Sequence, residues 1–373
     1  MSDLAWPITF MLLMVFGEAA ILQFSGRQRV NWHDVVFNID SGHMMLWLFR
    51  GLEITCYGYV ASHWSLDWFA AWPAWAVWLF ALLAWDLGFY WLHRLHHRWP
   101  LFWAVHLIHH QGRHFNLSLG VRNSWYSSLT SIPFFLLLAL IGVPLPVFVG
   151  VSILHYTVQF YNHNALMPRL RWLEWILITP ALHRVHHINE ARYCNSNFGG
   201  TFSVWDRLFG SLEAEPPAGP PDYGVGRERP SENPFWASNL PFLRGAGLCR
   251  EQEPTVRRFD VTAPALSLGA VLLFGLVIGY VDHYGYGYED ITGTQVALFA
   301  LLAAGAVALG GLAEGRPWAV AAWLLITLAL PLGHLVGMPW YAGLWSWLML
   351  PLAVHGLATA LGVGRRPRAP ERN

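Results

Sequence analysis

The chain has 373 residues, 55% of them hydrophobic and 12% charged, with 23 basic against 23 acidic side chains, 22 Trp and a mean hydropathy of +0.35. Soluble domains carry about 25% charged residues, so this composition excludes a disordered or nucleic-acid-binding protein and points to an all-α, polytopic membrane protein. Every basic residue is Arg, so the basic side of the balance is permanently charged. The three cysteines, Cys56, Cys194 and Cys249, form no CxxC pair and give no case for a disulfide framework or thiolate metal site. The N-terminus lacks the cationic start of a secretory signal, and its apolar run reads as a retained first span.

In chain order, spans of about 20 apolar residues are predicted at Trp6 to Phe24, Met44 to Ser62 and Trp72 to Trp91. Asn31 to Asp40, before the second, reads as an interfacial helix or a loop. The stretch Ile132 to Tyr161 is too long for one span and is broken by Pro144 and Pro146, which predicts a helical hairpin. Four more spans are predicted near Ala265 to Val281, Thr294 to Leu312, Trp318 to Leu335 and Tyr341 to Leu361. Leu92 to Asn123 and Leu166 to Glu215 are too polar to cross.

Threading these spans alternately places 22 of the 23 arginines on one face, from Arg27 and Arg29 to Arg365, Arg366, Arg368 and Arg372; Arg50 alone lies inside a span. Positive-inside asymmetry makes that face cytoplasmic, as expected of a bacterial inner-membrane protein. The opposite loops hold Asp67, Asp282, Glu289 and Asp290.

Twelve of the 18 histidines fall between His93 and His187. His93 and His97 stand i,i+4 where the third span ends, so on a helix their Cβ atoms lie roughly 5–6 Å apart and both imidazoles can reach one ion. His96 points about 100° away from His97 and is set aside. His106, His109 and His110 form an HxxHH element in which three nitrogens can converge on neighbouring ions, and His183, His186 and His187 repeat it. Imidazole suits Fe, Zn, Cu and Ni. Eight neutral ligands are too many for one ion, whereas two ions with four or five ligands each fit. Asp86, seven residues before His93, lies on the same helix face and is expected to orient a bound histidine through its free N–H, with pairing to Arg50 as the alternative.

The run from Asp86 through His93 to His97, followed by Phe102 to His110, Gln159 to His163, Thr179 to His187 and Asn197 to Gly210, resembles the fatty acid hydroxylase and sterol desaturase superfamily of integral-membrane diiron enzymes. Within it the chain looks most like the alkylglycerol monooxygenase branch and its bacterial relatives, over residues 5 to 215. The resemblance implies a membrane-bound monooxygenase that hydroxylates a lipid C–H bond with dioxygen, using two iron ions and an external electron donor, a pterin or a redox protein. It places the metal ligands on His93, His97, His106, His109, His110, His163, His183, His186 and His187, with Asp86, Gln159, Asn189, Asn197 and Asp206 around them. Gln159 stands where some relatives carry another histidine, implying one nitrogen fewer at the second metal. Arg98 replaces an acidic residue common after HxxxH in the alkylglycerol monooxygenase branch, which counts against pterin, and Asn195 replaces a frequent Asp.

The implied organisation is a catalytic region at 1–215, a Pro/Gly- and Arg-containing linker at 216–263, a four-span region at 264–361 and a basic tail at 362–373. His114 and His155 are read as packing or outer-layer histidines; His33, His43, His63, His283, His334 and His355 are isolated. A metal transporter needs liganding groups near the bilayer midplane, whereas these clusters sit outside the spans. A structural zinc site usually closes four ligands with Cys, which the clusters lack. A lipid desaturase of the same superfamily is the remaining alternative.

Overall fold

The computed structural model describes residues 5–217, 219–226, 230–249, 257–285, 291–336 and 343–367. Arg368, Arg372, Glu289, Asp290, Tyr341 and the outer part of the basic tail, all invoked above, lie outside the described residues.

The fold is predominantly helical. The first helix, α1 (Ala5–Phe24), is followed by α2 (Trp32–His63), α3 (Ala74–Arg98) and α4 (Pro100–His110). A 3-10 turn at Leu117–Val121 leads to α5 (Ser127–Ile141) and α6 (Leu145–Tyr161). Three short helices, α7 (Pro180–His186), α8 (Ala191–Cys194) and α9 (Val204–Leu208), precede α10 (Pro234–Gly245). The C-terminal part holds α11 (Ala263–Tyr284), α12 (Gly293–Ala313), α13 (Pro317–Leu335) and α14 (Met349–Ala360). Five helices, α1, α3, α11, α12 and α13, are long and apolar enough to cross a membrane.

Two expectations change. The second predicted span is part of one 32-residue helix, α2, which also absorbs Asn31 to Asp40, capped by the Asn31 side chain on the His33 N–H. No proline interrupts it, and it is not among the five apolar helices, because it carries Asp34, Asp40, Arg50 and Glu53. Arg50 pairs within this helix with Glu53, so Asp86 is left to other partners. The last predicted span, by contrast, is shortened: a 3-10 turn at Gly343–Leu348 runs into the 12-residue α14. The predicted hairpin is present as α5 and α6, reversed at Gly142, whose φ of 101° is left-handed, and restarted by Pro144 and Pro146.

The linker region is structured in part. Within it, α10 packs Ala237 against Phe37 and Ile108, and strand β1 (Phe259–Val261) pairs antiparallel with β2 (Arg365–Pro367). The C-terminal helices share one apolar core with the N-terminal ones: Val15, Leu22 and Val35 belong to the same buried cluster as Leu273, Leu302 and Leu309. A second cluster joins Tyr57, Trp85, Phe135 and Phe148 from α2, α3, α5 and α6.

Buried polar groups tie these cores to the loops. Glu18, inside α1, accepts the backbone N–H groups of Leu117 (2.5 Å) and Ala165 (2.6 Å), while Asn38 of α2 donates to Ser118 Oγ at 2.8 Å. Gly42 of α2 lies so close to the 3-10 turn that a Cβ there would sit on the Val121 carbonyl oxygen. Gly42→Ala should therefore push the turn off α2 and cost about 1–3 kcal/mol, as overpacking does. A lowered Tm of the purified protein is the expected reading, and an unchanged Tm would show that the contact yields freely.

Candidate metal centre

The chain breaks at Trp99-Pro100, and this break builds half the site. A residue before proline is held extended, and Trp99 (φ −108°, ψ 128°) ends α3 at Arg98 while Pro100 opens α4 at its first position. The two helices fold back on each other, so His93 and His97 face His106 and His110. Pro180, after the Thr179 cap, opens α7 and brings in the third histidine element from the other side.

The nine histidines converge in two buried or half-buried groups. His93, His97, His106, His110 and His186 form the first; His109, His163, His183 and His187 form the second; within each, the ligand atoms lie within 4.8 Å of one another. Each HxxHH element feeds both groups, because residues three and four apart on a helix flank the same face on opposite sides. The rings of His110 and His187 stack across the junction at 4.5 Å between centroids.

Backbone carbonyls fix the ring orientations. His93 Nδ1 donates to Phe198 O (2.9 Å), His109 Nδ1 to Arg122 O (2.9 Å), His163 Nδ1 to Gln159 O (2.9 Å) and His186 Nδ1 to Ser196 O (2.6 Å). A neutral imidazole whose Nδ1 carries the proton presents a bare lone pair at Nε2. His109 and His163 both do so, yet their Nε2 atoms face each other at 3.2 Å. Two acceptors at that distance repel unless a cation lies between them. In the first group, the buried Nε2 atoms of His97 and His186 have no hydrogen-bond partner at all. The other Nε2 contacts, His93–His106 (3.1 Å), His106–His110 (3.2 Å), His163–His183 (3.0 Å), His109–His187 (3.1 Å), His183–His187 (3.1 Å) and His163–His187 (3.3 Å), fall between about 3.0 and 3.4 Å. That is the range for adjacent nitrogens bonded to one ion at about 2.1 Å. The donor set therefore fits a metal ion in each group.

Burial is the largest cause holding His106, His110, His163, His183, His186 and His187 well below the ordinary imidazole range, and neighbouring histidines lower them further. His109 is pushed down to about 4 by burial, against the hydrogen bond to the Arg122 carbonyl. Neutral rings are the metal-binding form.

The outer layer holds the carbonyls rather than the rings. Asp206, raised to about 6 by burial, accepts the N–H groups of Phe198 and Gly199 at 2.8 Å and the Ser211 hydroxyl at 2.7 Å, and so presents Phe198 O to His93. Asp86 accepts the N–H groups of Thr201 (2.8 Å) and Phe202 (2.9 Å) and the Trp205 indole N–H (2.9 Å). Its neighbour His155 lies 3.3 Å away and bonds Thr201 Oγ1 and Leu82 O. Asn197, left-handed at φ 52°, ties Leu182 O to Glu213 through its side-chain amide. Gly200 is boxed in: a Cβ would come within 2.8 Å of Phe89 and 2.9 Å of Gln159 Nε2. The Gln159 amide nitrogen is buried without a partner beside the second group's His163. Asn189 lies exposed and donates to Asp222 at 3.4 Å. His96 bonds Thr130 and His114 bonds Asp34, outside both groups.

Sequence reasoning missed Arg122. It is 2% exposed, its carbonyl orients His109, its Nε donates to Ile108 O at 2.5 Å and its Nη1 to Asn38 Oδ1 at 3.0 Å. Nothing in its spacing signals this, because the contact to His109 is made by backbone.

Such a site defines a class: membrane-type helical proteins built around paired histidine groups. Residues 78–211 match the fatty acid hydroxylase family. Human alkylglycerol monooxygenase is 33% identical over 213 residues, covering 55% of this chain and 46% of that protein. The Xenopus tropicalis alkylglycerol monooxygenase is 35% identical over 170 residues, 45% of this chain and 37% of the relative. The ornithine lipid hydroxylase OlsE of Rhizobium tropici is 30% identical over 169 residues, 44% of this chain and 50% of the relative. The chain thus spans about half the length of the curated relatives it matches, or less. No solved structure matches it.

Two outcomes follow from the geometry. Unfolded imidazoles protonate near pH 6.5 and buried His109 near 4, so between those values the unfolded chain binds more protons and acid destabilises the fold. The chelator-treated protein should lose Tm steadily from pH 6.5 to 4; a flat profile would contradict neutral burial. Because the groups are separate, His97→Ala and His163→Ala should each lower bound metal from two ions per chain toward one, by elemental analysis.

Proposed function

We propose that the chain is a membrane-bound diiron monooxygenase that hydroxylates a C–H bond of a lipid with dioxygen. The observation that carries this reading is the pair of facing, unprotonated Nε2 atoms of His109 and His163 inside the segment that matches the fatty acid hydroxylase family. Two irons, held by His93, His97, His106, His110 and His186 and by His109, His163, His183 and His187, would supply the dioxygen chemistry, which no side chain performs unaided. All nine ligands are neutral, which matches soft-to-borderline transition metals rather than Mg or Ca.

The chain's own residues position and seal the centre. Phe198 packs on His93, His97 and His186, and Phe115 on His163, His183 and His187, keeping water from both groups. Asp206 and Asp86 hold the 198–202 loop, and their carboxylates would help to balance the charge of two bound ions. The lipid chain enters laterally from the bilayer, between helices whose outer faces are apolar. Arginine sidedness supports a cytoplasmic metal centre in a bacterial inner membrane. The catalytic region is taken as 1–215, followed by the linker at 216–263, the C-terminal membrane region at 264–361 and the basic tail at 362–373. The electron donor is a redox protein or a pterin, with Arg98 arguing against the latter.

The test combines iron quantification with lipid mass spectrometry of an expressing strain. About two irons per chain and an oxygen-dependent lipid product heavier by one oxygen atom are expected, and His109→Ala should abolish that product while the protein still inserts. Absence of any oxygenated lipid, with fewer than two metals bound, would defeat the proposal.

A further inference from the structure

Behind the second histidine group, two adjoining cavities of about 600 and 410 Å³ open between the end of α1, the start of α2, the segment after α4 and the chain leading into α11. They share Asn31, His33 and His114. Arg122, whose carbonyl orients His109, forms part of the wall of the smaller one.

The wall charges nearly cancel: Arg29, Arg113, Arg122 and Arg257 stand against Asp34, Glu232 and Asp260. Asp34 is engaged by His114 at 2.6 Å, and Glu232 Oε1 by Arg257 at 3.1 Å. Two atoms of opposite character are left over. Arg122 Nη2 and Glu232 Oε2 are both buried and neither has a hydrogen-bond partner; His33 Nδ1 lies 3.9 Å from Glu232 Oε2. An unmade bond at a buried charged group costs more than one at a neutral group, and one guanidinium nitrogen of buried Arg122 and one oxygen of half-buried, Arg257-paired Glu232 left this way mark a place for a ligand. That ligand must offer an acceptor to Arg122 and a donor to Glu232. An apolar molecule satisfies neither, and a near-neutral wall gives a strongly charged anion little net attraction. The cleft also lies where α1 ends and α11 begins, two helices long enough to cross a membrane, so it sits at the level of lipid headgroups.

We propose that this cleft binds a small zwitterionic group, with an oxyanion against Arg122 and an ammonium against Glu232, of which phosphoethanolamine is the simplest example. Guanidinium is well matched to phosphate oxygens, and an ammonium to a carboxylate. The ligand arrives either as a soluble molecule or as the headgroup of a phospholipid. The inference does not rest on the metal reading, since neither group of histidines lines the cleft.

Titration of phosphoethanolamine into the full chain, purified in dodecyl maltoside and followed by calorimetry, should show saturable binding at one site. Glu232→Gln should weaken it at least tenfold without weakening the fainter binding of inorganic phosphate, which makes no use of the carboxylate. Arg122→Gln should weaken both ligands; because Arg122 also holds Ile108 O and Asn38 inside the fold, Glu232→Gln is the deciding variant. Absence of saturable binding, or equal affinity in Glu232→Gln, overturns the proposal. Repeating the titration in nanodiscs separates the sources. Competition by phosphatidylethanolamine discs but not by phosphatidylglycerol discs assigns the site to a lipid headgroup, and undiminished binding in both assigns it to a soluble zwitterion.

Discussion

The structure depends on keeping unprotonated imidazole nitrogens buried and facing one another. His109 and His163 each commit the Nδ1 proton to a backbone carbonyl and turn a lone pair toward the other. Burial keeps these rings neutral by penalising the charged form, so they cannot relieve the repulsion by protonating at ordinary pH. The arrangement is then only as good as the placement of the four carbonyls at Phe198, Arg122, Gln159 and Ser196, since a ring that rotates loses its direction toward the group.

That requirement explains the density of buried acceptors and amides in the surrounding loops. Asp206 holds Phe198, and Asp86 and His155 hold Thr201, a few residues along the same loop. Asn197 joins the end of α7 to residue 213. On the other side, Asn38 and Glu18 hold the 3-10 turn that ends at Arg122. Each of these polar groups is buried with its partners made, the condition under which a network rigidifies rather than weakens an interior. None of them touches a histidine of the two groups except through backbone, and this separates the duty of holding position from that of donating nitrogen.

Much of the centre was legible in the sequence because side-chain ligands must obey helix spacing. The HxxxH and HxxHH elements identified eight of the nine converging histidines by position alone, and their repetition implied two ions. His163 was implied by resemblance, with no spaced partner of its own. The two-to-one sharing of each HxxHH element between groups follows from the 100° step, yet which ring joins which group depends on how α3, α4 and α7 cross. Helix spacing leads one to expect Asp86 to orient a histidine of the groups, but its partners are the Trp205 indole and backbone N–H groups more than a hundred residues away, which no local pattern encodes. Arg122 was invisible for the same reason. Apolar runs located the long helices, but the run at Met44 to Ser62 does not show that α2 starts at Trp32 and buries Asn38, Ser41 and Glu53 among Val35, Phe37 and Tyr57.

The C-terminal helices can be placed in the same chain of dependence. They form no separate core: α11 packs on α1 and α2, the two helices that carry Glu18 and Asn38. Those side chains fix the turn that presents Arg122, and the Arg122 carbonyl fixes His109. Displacement of α11 would therefore reach the second histidine group through two layers of hydrogen bonds without altering any ligand. The same helices bring the chain before α11, with Glu232 and Arg257, against Arg122. One residue thus stands between the interior centre and the cleft at the edge of the apolar helices, and its carbonyl serves the first while its guanidinium serves the second.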